Sequence, residues 1–280
     1  MHQSAFVKDR SIHDNFMLVQ SMARRLHALR EAAVMLKLDI SKAFNSVRWP
    51  FMVEKLFQLA VDKALLSPLA SRGLAQGISM FSDGVMIFLR PELVDLQACV
   101  AILQLFGEAS GLRVNLAKCA ALPIRCTTRQ MEQVPQILGC PIQSFPCKYL
   151  GLPLTIRKQT AAQLSGLMDQ LASLLPSWKG ANMPKSGRML LVKSVLCVLP
   201  IHAMMALDTP HKTITTMIKI CRGFLWSVTT QANGGQCAVG WDEVCTPRWA
   251  GCLGIPDLKW LNTAMQARWP WLKKTDPARP

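Results

Sequence analysis

Two carboxylates stand out by their position. Asp39 ends the apolar run from Ala32 to Leu38 within Leu36-Lys37-Leu38-Asp39-Ile40-Ser41-Lys42-Ala43-Phe44-Asn45-Ser46-Val47, and a turn-and-helix signal follows it. Asp83 lies in Phe81-Ser82-Asp83-Gly84, inside a second apolar stretch, Ile78 to Leu89. The first arrangement suits a β-strand with a shielded backbone that delivers its carboxylate to the strand end. Two carboxylates at the ends of neighbouring strands supply hard oxygen ligands for divalent cations, and with them the means for phosphoryl or nucleotidyl transfer. Asp39 and Asp83 are therefore the candidate metal ligands and catalytic residues.

Charge points to a polyanionic partner. The chain has 280 residues and a formal net charge of +15. Residues 1–95 hold 12 Lys/Arg against 9 Asp/Glu, a balance of +3; residues 96–280 hold 20 against 8, a balance of +12. The excess lies downstream of both carboxylates, and nucleic acid is its simplest partner. A solvated basic surface is the bland alternative. Half of the residues are hydrophobic, which argues against general disorder and allows one large domain or two small ones.

The cysteines and the N-terminus bound the compartment. Ten cysteines lie scattered among apolar neighbours, and Met1-His2-Gln3-Ser4 begins no apolar leader. Free buried thiols in a reducing, intracellular setting, nuclear or cytoplasmic, are expected. Cys237, Cys245 and Cys252 invite a zinc reading, but no CxxC pair occurs and no histidine follows His211; packing cysteines are the preferred reading. No run reaches a charge-free membrane span. The nearest, Met189 to Leu207, is broken by Lys193, Pro200 and His202 and reads as core helix and connection.

The elements that must position these groups follow from periodicity. Ser11 is a plausible N-cap with Asp14 in the first turn, and Ile12, Phe16, Val19, Ala23 and Leu26 predict a helix to about Leu29. His13 reads as a helix-surface or capping residue. After the Asp39 strand, Trp49-Pro50 opens a helix. One strand is expected over Ile78 to Leu89, ended by Arg90-Pro91. A helix from Glu92 to Ser110 follows, with Gly111 as its C-cap. Residues 160–230 read as helices, with stripes from Leu164 to Leu175, Met189 to Val198 and Ile214 to Trp226. Residues 234–280 are rich in Gly, Trp and Cys, with a frayed end.

Here a resemblance enters. Leu36 to Val47 is similar to motif A of the reverse transcriptases of plant non-LTR (LINE-type) retrotransposons, LKLDISKAFDSV, and Phe81 to Gly84 with its apolar tail resembles their motif C, YADD. Asp39 then matches the first metal-binding aspartate, and Asp83 the first of the YADD pair, with Mg²⁺ as the implied cofactor. Asn45, Phe81 and Gly84 depart from the pattern's aspartate, tyrosine and second aspartate. Gln3 to Phe16 resembles the QSAFIKGRSIHDNF stretch before motif A, with Asp9 in place of its glycine, and implies a substrate contact for Arg10. Leu112 to Cys119 resembles motif D, which implies a place for Lys118 near the incoming triphosphate; a solvent-facing strand lysine is the alternative. Phe145 to Leu154 resembles motif E, a hairpin that holds the primer strand, and implies nucleic-acid contacts for Lys148 and Tyr149. Lys179, Lys185, Arg188 and Lys193 fall in a region that resembles the thumb, where Lys and Arg meet phosphate. Asp39 and Asp83 are 44 positions apart, so the block that carries motif B in the family has no counterpart.

The expected architecture is α+β: a remnant of a polymerase palm, an antiparallel sheet with packed helices, followed by a helical thumb-like region. The expected organisation is a palm-like region over 1–157, a thumb-like region over 158–232 and a Trp/Cys-rich segment over 233–280. The expected function is that of a retrotransposon-derived reverse-transcriptase-like protein, of RNA-directed DNA polymerase ancestry, with a degenerate catalytic centre and with RNA template and DNA primer as partners. A non-catalytic basic nucleic-acid-binding remnant is the second reading, and a poorly folding pseudogene product the third.

Overall fold

The computed structural model of the chain describes residues 11–39, 78–81, 84–110, 114–173, 182–229, 232 and 234–276. It divides into two compact units, Met1–Arg157 and Lys158–Pro280. The helix expected from Trp49-Pro50 and the Gly111 cap lie outside the described residues, as do Arg10, Asp83 and Lys179.

The first unit opens with helix α1, Ile12–Ala28. Its start is a reciprocal capping box. The Ser11 hydroxyl accepts from the His13 N–H at 3.1 Å, and the Asp14 carboxylate accepts from the Ser11 N–H at 2.9 Å. Asp14 in the first turn and Arg25 and His27 in the last complement the helix dipole. Phe16, Val19, Ala23 and Leu26, the periodic apolar positions, are fully buried.

A four-stranded antiparallel sheet follows, made of β1 (Ala33–Asp39), β2 (Ile78–Phe81), β3 (Gly84–Leu89) and β4 (Ala120–Ile124) in the spatial order β2-β3-β1-β4. The single strand expected over Ile78 to Leu89 is instead a hairpin. Phe81 pairs with Gly84, so only Ser82 and Asp83 connect the two strands. Ser, Asp and Gly are turn formers, and a two-residue connection is the commonest way to join antiparallel strands. The apolar runs on either side pair with each other rather than continuing as one.

Strand alternation assigns the two sheet faces. Val34, Leu36 and Leu38 of β1 and Val85, Ile87 and Leu89 of β3 form one core with helix α2 (Leu93–Ser110) through Leu96, Cys99, Ile102 and Phe106. Helix α3 (Thr128–Leu138) adds Val134 and Leu138 to it. Helix α3 forms although Pro135 lies inside it. Its ends explain why it forms: Thr127 and Gln130 make a second capping box, and Gly139 closes the helix at φ 66°. On the opposite face, α1 packs across β2 and β4. A second hairpin, β5 (Cys147–Tyr149) with β6 (Leu152–Leu154), turns through Leu150 and Gly151, both at positive φ as the tightest hairpin turn requires.

The second unit is helical. A 3₁₀ turn, Ala161–Leu164, leads into α4 (Ser165–Ser173). Next come α5 (Lys185–Leu191), a π-helical stretch Val192–Leu196, α6 (Ile201–Ala206) and α7 (His211–Ser227). Then α8 (Trp241–Cys245) and α9 (Leu258–Thr275) close it. Its core joins Leu171, Val192, Leu196, Met204, Met217, Phe224, Val244 and Leu258. The span Lys185–Ala206 is long and apolar enough to cross a membrane by length and composition, with mean hydropathy 1.9. Here the π-helical stretch and a turn before α6 interrupt it, and Val192, Leu196, Ala203 and Met204 are buried.

Leu36 is 1% exposed at the centre of the first core. Leu36→Ala is expected to destabilise the first unit by about 2–5 kcal/mol through lost transfer energy and a residual cavity. A urea titration of the full chain, followed by far-UV circular dichroism, checks this as a lowered midpoint.

Candidate active site at the end of β1

Asp39 is the last residue of β1 and lies directly opposite Gly84 of β3. Residues directly opposite in an antiparallel pair hold their Cβ positions about 4.5–5.5 Å apart on one face. Gly84 brings no side chain to that position, so this pair contributes one carboxylate. Asp83, the second expected ligand, lies outside the described residues.

Lys118 reaches the same place by a route the sequence did not suggest. The alternative reading, a solvent-facing strand lysine, does not match the backbone: residues 116–118 form a turn and β4 begins only at Ala120. The Asn115 N–H donates to the Asp39 carbonyl at 2.9 Å, and the Asn115 carbonyl accepts from the Lys118 and Cys119 N–H groups at 3.0 and 3.1 Å. These bonds pin the turn to the end of β1. Lys118 Nζ then lies 3.6 Å from Asp39 Oδ2, with the two side chains 68% and 28% exposed. An ion pair that wet contributes about 0–1 kcal/mol to stability. Its weight is local: it supplies a cation beside the Asp39 carboxylate.

A second lysine shares that face. Lys37 and Asp39 are two residues apart on β1, and strand alternation sends both away from the Val34, Leu36 and Leu38 core. Lys37 Nζ donates to the Lys148 carbonyl at 3.0 Å and so ties the β5–β6 hairpin to β1. The i, i+2 spacing was the available signal for Lys37. The Lys148 side chain is exposed, and its backbone carbonyl makes this tie. Tyr149 is 3% exposed, and its ring stacks on Phe16 with centroids 6.2 Å apart. Its hydroxyl faces that of Ser79 without a bond of good geometry. Tyr149 thus acts here by packing.

The cationic residues expected to meet phosphate in the second unit are distributed unevenly. Lys185 lies over the Trp226 ring, 6.0 Å from its centroid, and Arg188 Nη1 donates to the Trp226 carbonyl at 3.4 Å. Both cations therefore sit at the C-terminal end of α7, where the dipole favours them. Lys185 is exposed, and Arg188 and Lys193 are half-buried. A further basic cluster escaped the sequence reading because its members are far apart in the chain. Arg24 donates to the Thr155 carbonyl at 3.3 Å and to the Arg157 carbonyl at 3.5 Å, and Arg125 donates to the His27 carbonyl at 3.4 Å. Burial, then the Arg125 and Arg157 charges, pushes the His27 imidazole below its usual range.

Among the described residues, no group of three or more His, Cys, Asp or Glu side chains converges to hold a metal ion. Mg²⁺ takes about six oxygen ligands near 2.1 Å in close to octahedral geometry. Among the described residues, one carboxylate with an ammonium 3.6 Å away does not fit that demand, and no chemical step is assigned through a metal. None of the ten cysteines is in a disulfide. Cys119 lies beside Asp39. Burial first, and the Asp39 charge after it, raises its thiol, against a hydrogen bond with the Asp39 backbone and the Lys37 charge.

No protein-family model matches the chain. Over 120 residues, 43% of its length, the chain is 26% identical to a protein of Arabidopsis thaliana that carries the name "Putative ribonuclease H protein". The aligned part spans 19% of that protein.

The buried thiols and phenol of the first unit set a pH dependence with a definite sign. Burial pushes Cys99 and Tyr149 up to about 12 and Cys140 and Cys147 up to about 11. These folded values exceed the unfolded ones, about 8.5 for Cys and 10 for Tyr. The neutral groups' contribution is thus complete below about pH 8.5 and is lost as pH rises through about 11–12. Urea midpoints of the full chain are expected to stay flat from pH 7 to 8 and to fall steadily from pH 9 to 11.

Proposed function

We propose that this chain is a retrotransposon-derived reverse-transcriptase-like protein whose catalytic centre has degenerated. One observation carries the reading: Asp39, the carboxylate of the motif A-like strand, pairs across the sheet with Gly84, the final residue of the motif C-like stretch. An antiparallel sheet in which a central strand lies beside a tight hairpin is the arrangement that a palm uses to bring its carboxylates together. The position opposite Asp39 is the one where YADD carries its second aspartate, and here it has no side chain. Lys118 compensates the Asp39 charge from the motif D-like turn, a cation where a triphosphate would need one. The similarity to the Arabidopsis thaliana protein supports a nucleic-acid enzyme lineage. RNA template and DNA primer are the proposed ancestral partners, and Mg²⁺ the proposed ancestral cofactor.

Restoring the missing group tests the reading. Among the described residues, a Cβ at Gly84 would meet the Phe81 carbonyl oxygen at an ordinary 3.5 Å, so the backbone there accepts the Cβ of Gly84→Asp. Gly84→Asp is expected to bind Mn²⁺ at least about tenfold more tightly than the parent by electron paramagnetic resonance titration, since a second carboxylate adds both ligands and charge. Asp39→Asn added to it removes the gain. The parent is expected to extend no primer with Mg²⁺ or Mn²⁺; robust cDNA synthesis that Asp39→Ala abolishes would refute the degeneracy.

The charge distribution favours a second reading beside the first: residual, non-catalytic binding of nucleic acid. The balance of +12 downstream of residue 95 and the exposed Lys185 beside Trp226 suit contacts with phosphate. Each phosphate contact steepens the dependence of log affinity on log salt by about 0.9 on duplex DNA. The double variant Lys185→Ala, Lys193→Ala is expected to lower that slope by roughly 2, with Asp39→Ala leaving it unchanged. Filter binding of a random duplex at several salt concentrations reads both.

A further inference from the structure

Helix α9 is docked by one face and presents two tryptophans from the other. On the docked face, Gln266 Nε2 donates to the Met204 and Leu207 carbonyls, the latter at 2.7 Å, and Trp269 Nε1 donates to the Met205 carbonyl at 2.7 Å. Leu258 is fully buried in the core of the second unit. On the free face, Trp260 is 75% exposed and Trp271 is 67% exposed. Eleven residues separate them, which on a helix is about 20° of rotation and about 16.5 Å of rise. Thr263, Ala264 and Ala267, all exposed, lie between them and leave a low trough between two indole platforms.

Three further features give this face a chemistry. Helix α9 carries Lys259, Arg268, Lys273 and Lys274 and no Asp or Glu within its 18 residues, so its own charge is wholly cationic. Lys259 adjoins one tryptophan, and Lys273 and Lys274 follow the other. Arg268 lies over the Trp269 ring, 5.5 Å from its centroid, within reach for a cation–π contact. Trp260 also borders a cleft of about 560 Å³ in which Asp242 and Asp257 sit with Lys259. Carboxylates set beside an indole plane can accept hydrogen bonds from a stacked ring that bears an amino group.

We infer that the free face of α9 is a binding surface for single-stranded nucleic acid, with bases stacked on Trp260 and Trp271 and an amino-bearing base seated in the cleft beside Asp242. Lys259, Lys273 and Lys274 meet the phosphates beside the platforms. The separation of the tryptophans spans about five nucleotides of a stacked strand at 3.4 Å each. Charge complementarity selects this occupant over an apolar protein face, since a wholly cationic helix with two isolated indoles suits stacked bases and phosphates together. The surface is distinct from the Asp39 end of β1 and from Lys185 and Lys193, so it goes beyond the function proposed above.

The test uses the full chain and fluorescein-labelled 12-mers of oligo(dC) and oligo(dT) in 50 mM salt, read by anisotropy. The chain is expected to bind oligo(dC) several-fold more tightly than oligo(dT). Trp260→Ala and Trp271→Ala are each expected to weaken oligo(dC) binding at least about fivefold, with an unchanged circular dichroism spectrum because both side chains are exposed. Asp242→Asn is expected to erase the preference for oligo(dC). The inference is overturned if the full chain fails to bind oligo(dC). It is also overturned if the double tryptophan variant binds within twofold of the parent, or if that variant turns a dimer into a monomer in sizing chromatography while oligo(dC) binding is unchanged. Binding of duplex that depends on Lys185 and Lys193 would survive each of these results, so this surface and the proposed function fail separately.

Discussion

The register of β1 is the constraint on which the candidate site rests. This strand is central, paired on both sides, with Asp39 held opposite Gly84 and Lys37 opposite both Met86 and Ala120. Side chains alternate along a strand, so a slip of one residue would send Asp39 into the α2 core and bring Leu36 and Leu38 out of it. The cost of that exchange is high, because Val34, Leu36 and Leu38 are almost wholly buried. Apolar packing of one face thus fixes the position of a carboxylate on the other.

From that position the local electrostatics follow. The turn at Asn115 is tied to the Asp39 carbonyl, and it carries Lys118 to the Asp39 carboxylate. Lys37, on the same face, is tied to the β5–β6 hairpin. A carboxylate intended for a divalent ion is expected to have further oxygen ligands and unspent negative charge; this one has a glycine across the sheet and an ammonium beside it. On the proposed reading, the scaffold that once concentrated negative charge has kept its backbone geometry and lost the carboxylates at Asn45 and Gly84. The cations of the chain serve several ends. Lys37 and Arg188 help to hold the fold together, whereas Lys185, Lys259, Lys273 and Lys274 are exposed.

Much of the fold was legible because its signals are local. Ser11 with Asp14 marks a helix start, and the apolar spacing from Ile12 to Leu26 marks its length; the observed helix agrees within a residue. The Asp39 strand and the helix after Pro91 follow from runs of apolar residues bounded by clear breaks. Other elements were hidden by conflicting local signals. Pro135 and Pro270 argue against helices that nonetheless form: the first is held by caps at both ends, and the second by the bonds that Gln266 and Trp269 make to α6 and the residue beyond it. The split of Ile78 to Leu89 into two strands was missed because an apolar run reads alike whether it continues or folds back on itself. The turn that carries Lys118 was not legible because the bond that shapes it comes from a residue 76 positions away, Asp39 to Asn115.

By itself, the sequence determined which residues are costly to bury and which are cheap, and therefore where the sheet, its covering helices and the basic excess would fall. It named Asp39 and Lys118 as candidate site residues. It could not place them 3.6 Å apart, nor set Gly84 across from Asp39, nor turn Trp260 and Trp271 outward while Trp269 turned in. Those outcomes belong to tertiary structure, because they depend on strand register and helix docking. Both are fixed by packing between segments distant in the chain, and composition and periodicity describe only what neighbours along the chain have in common.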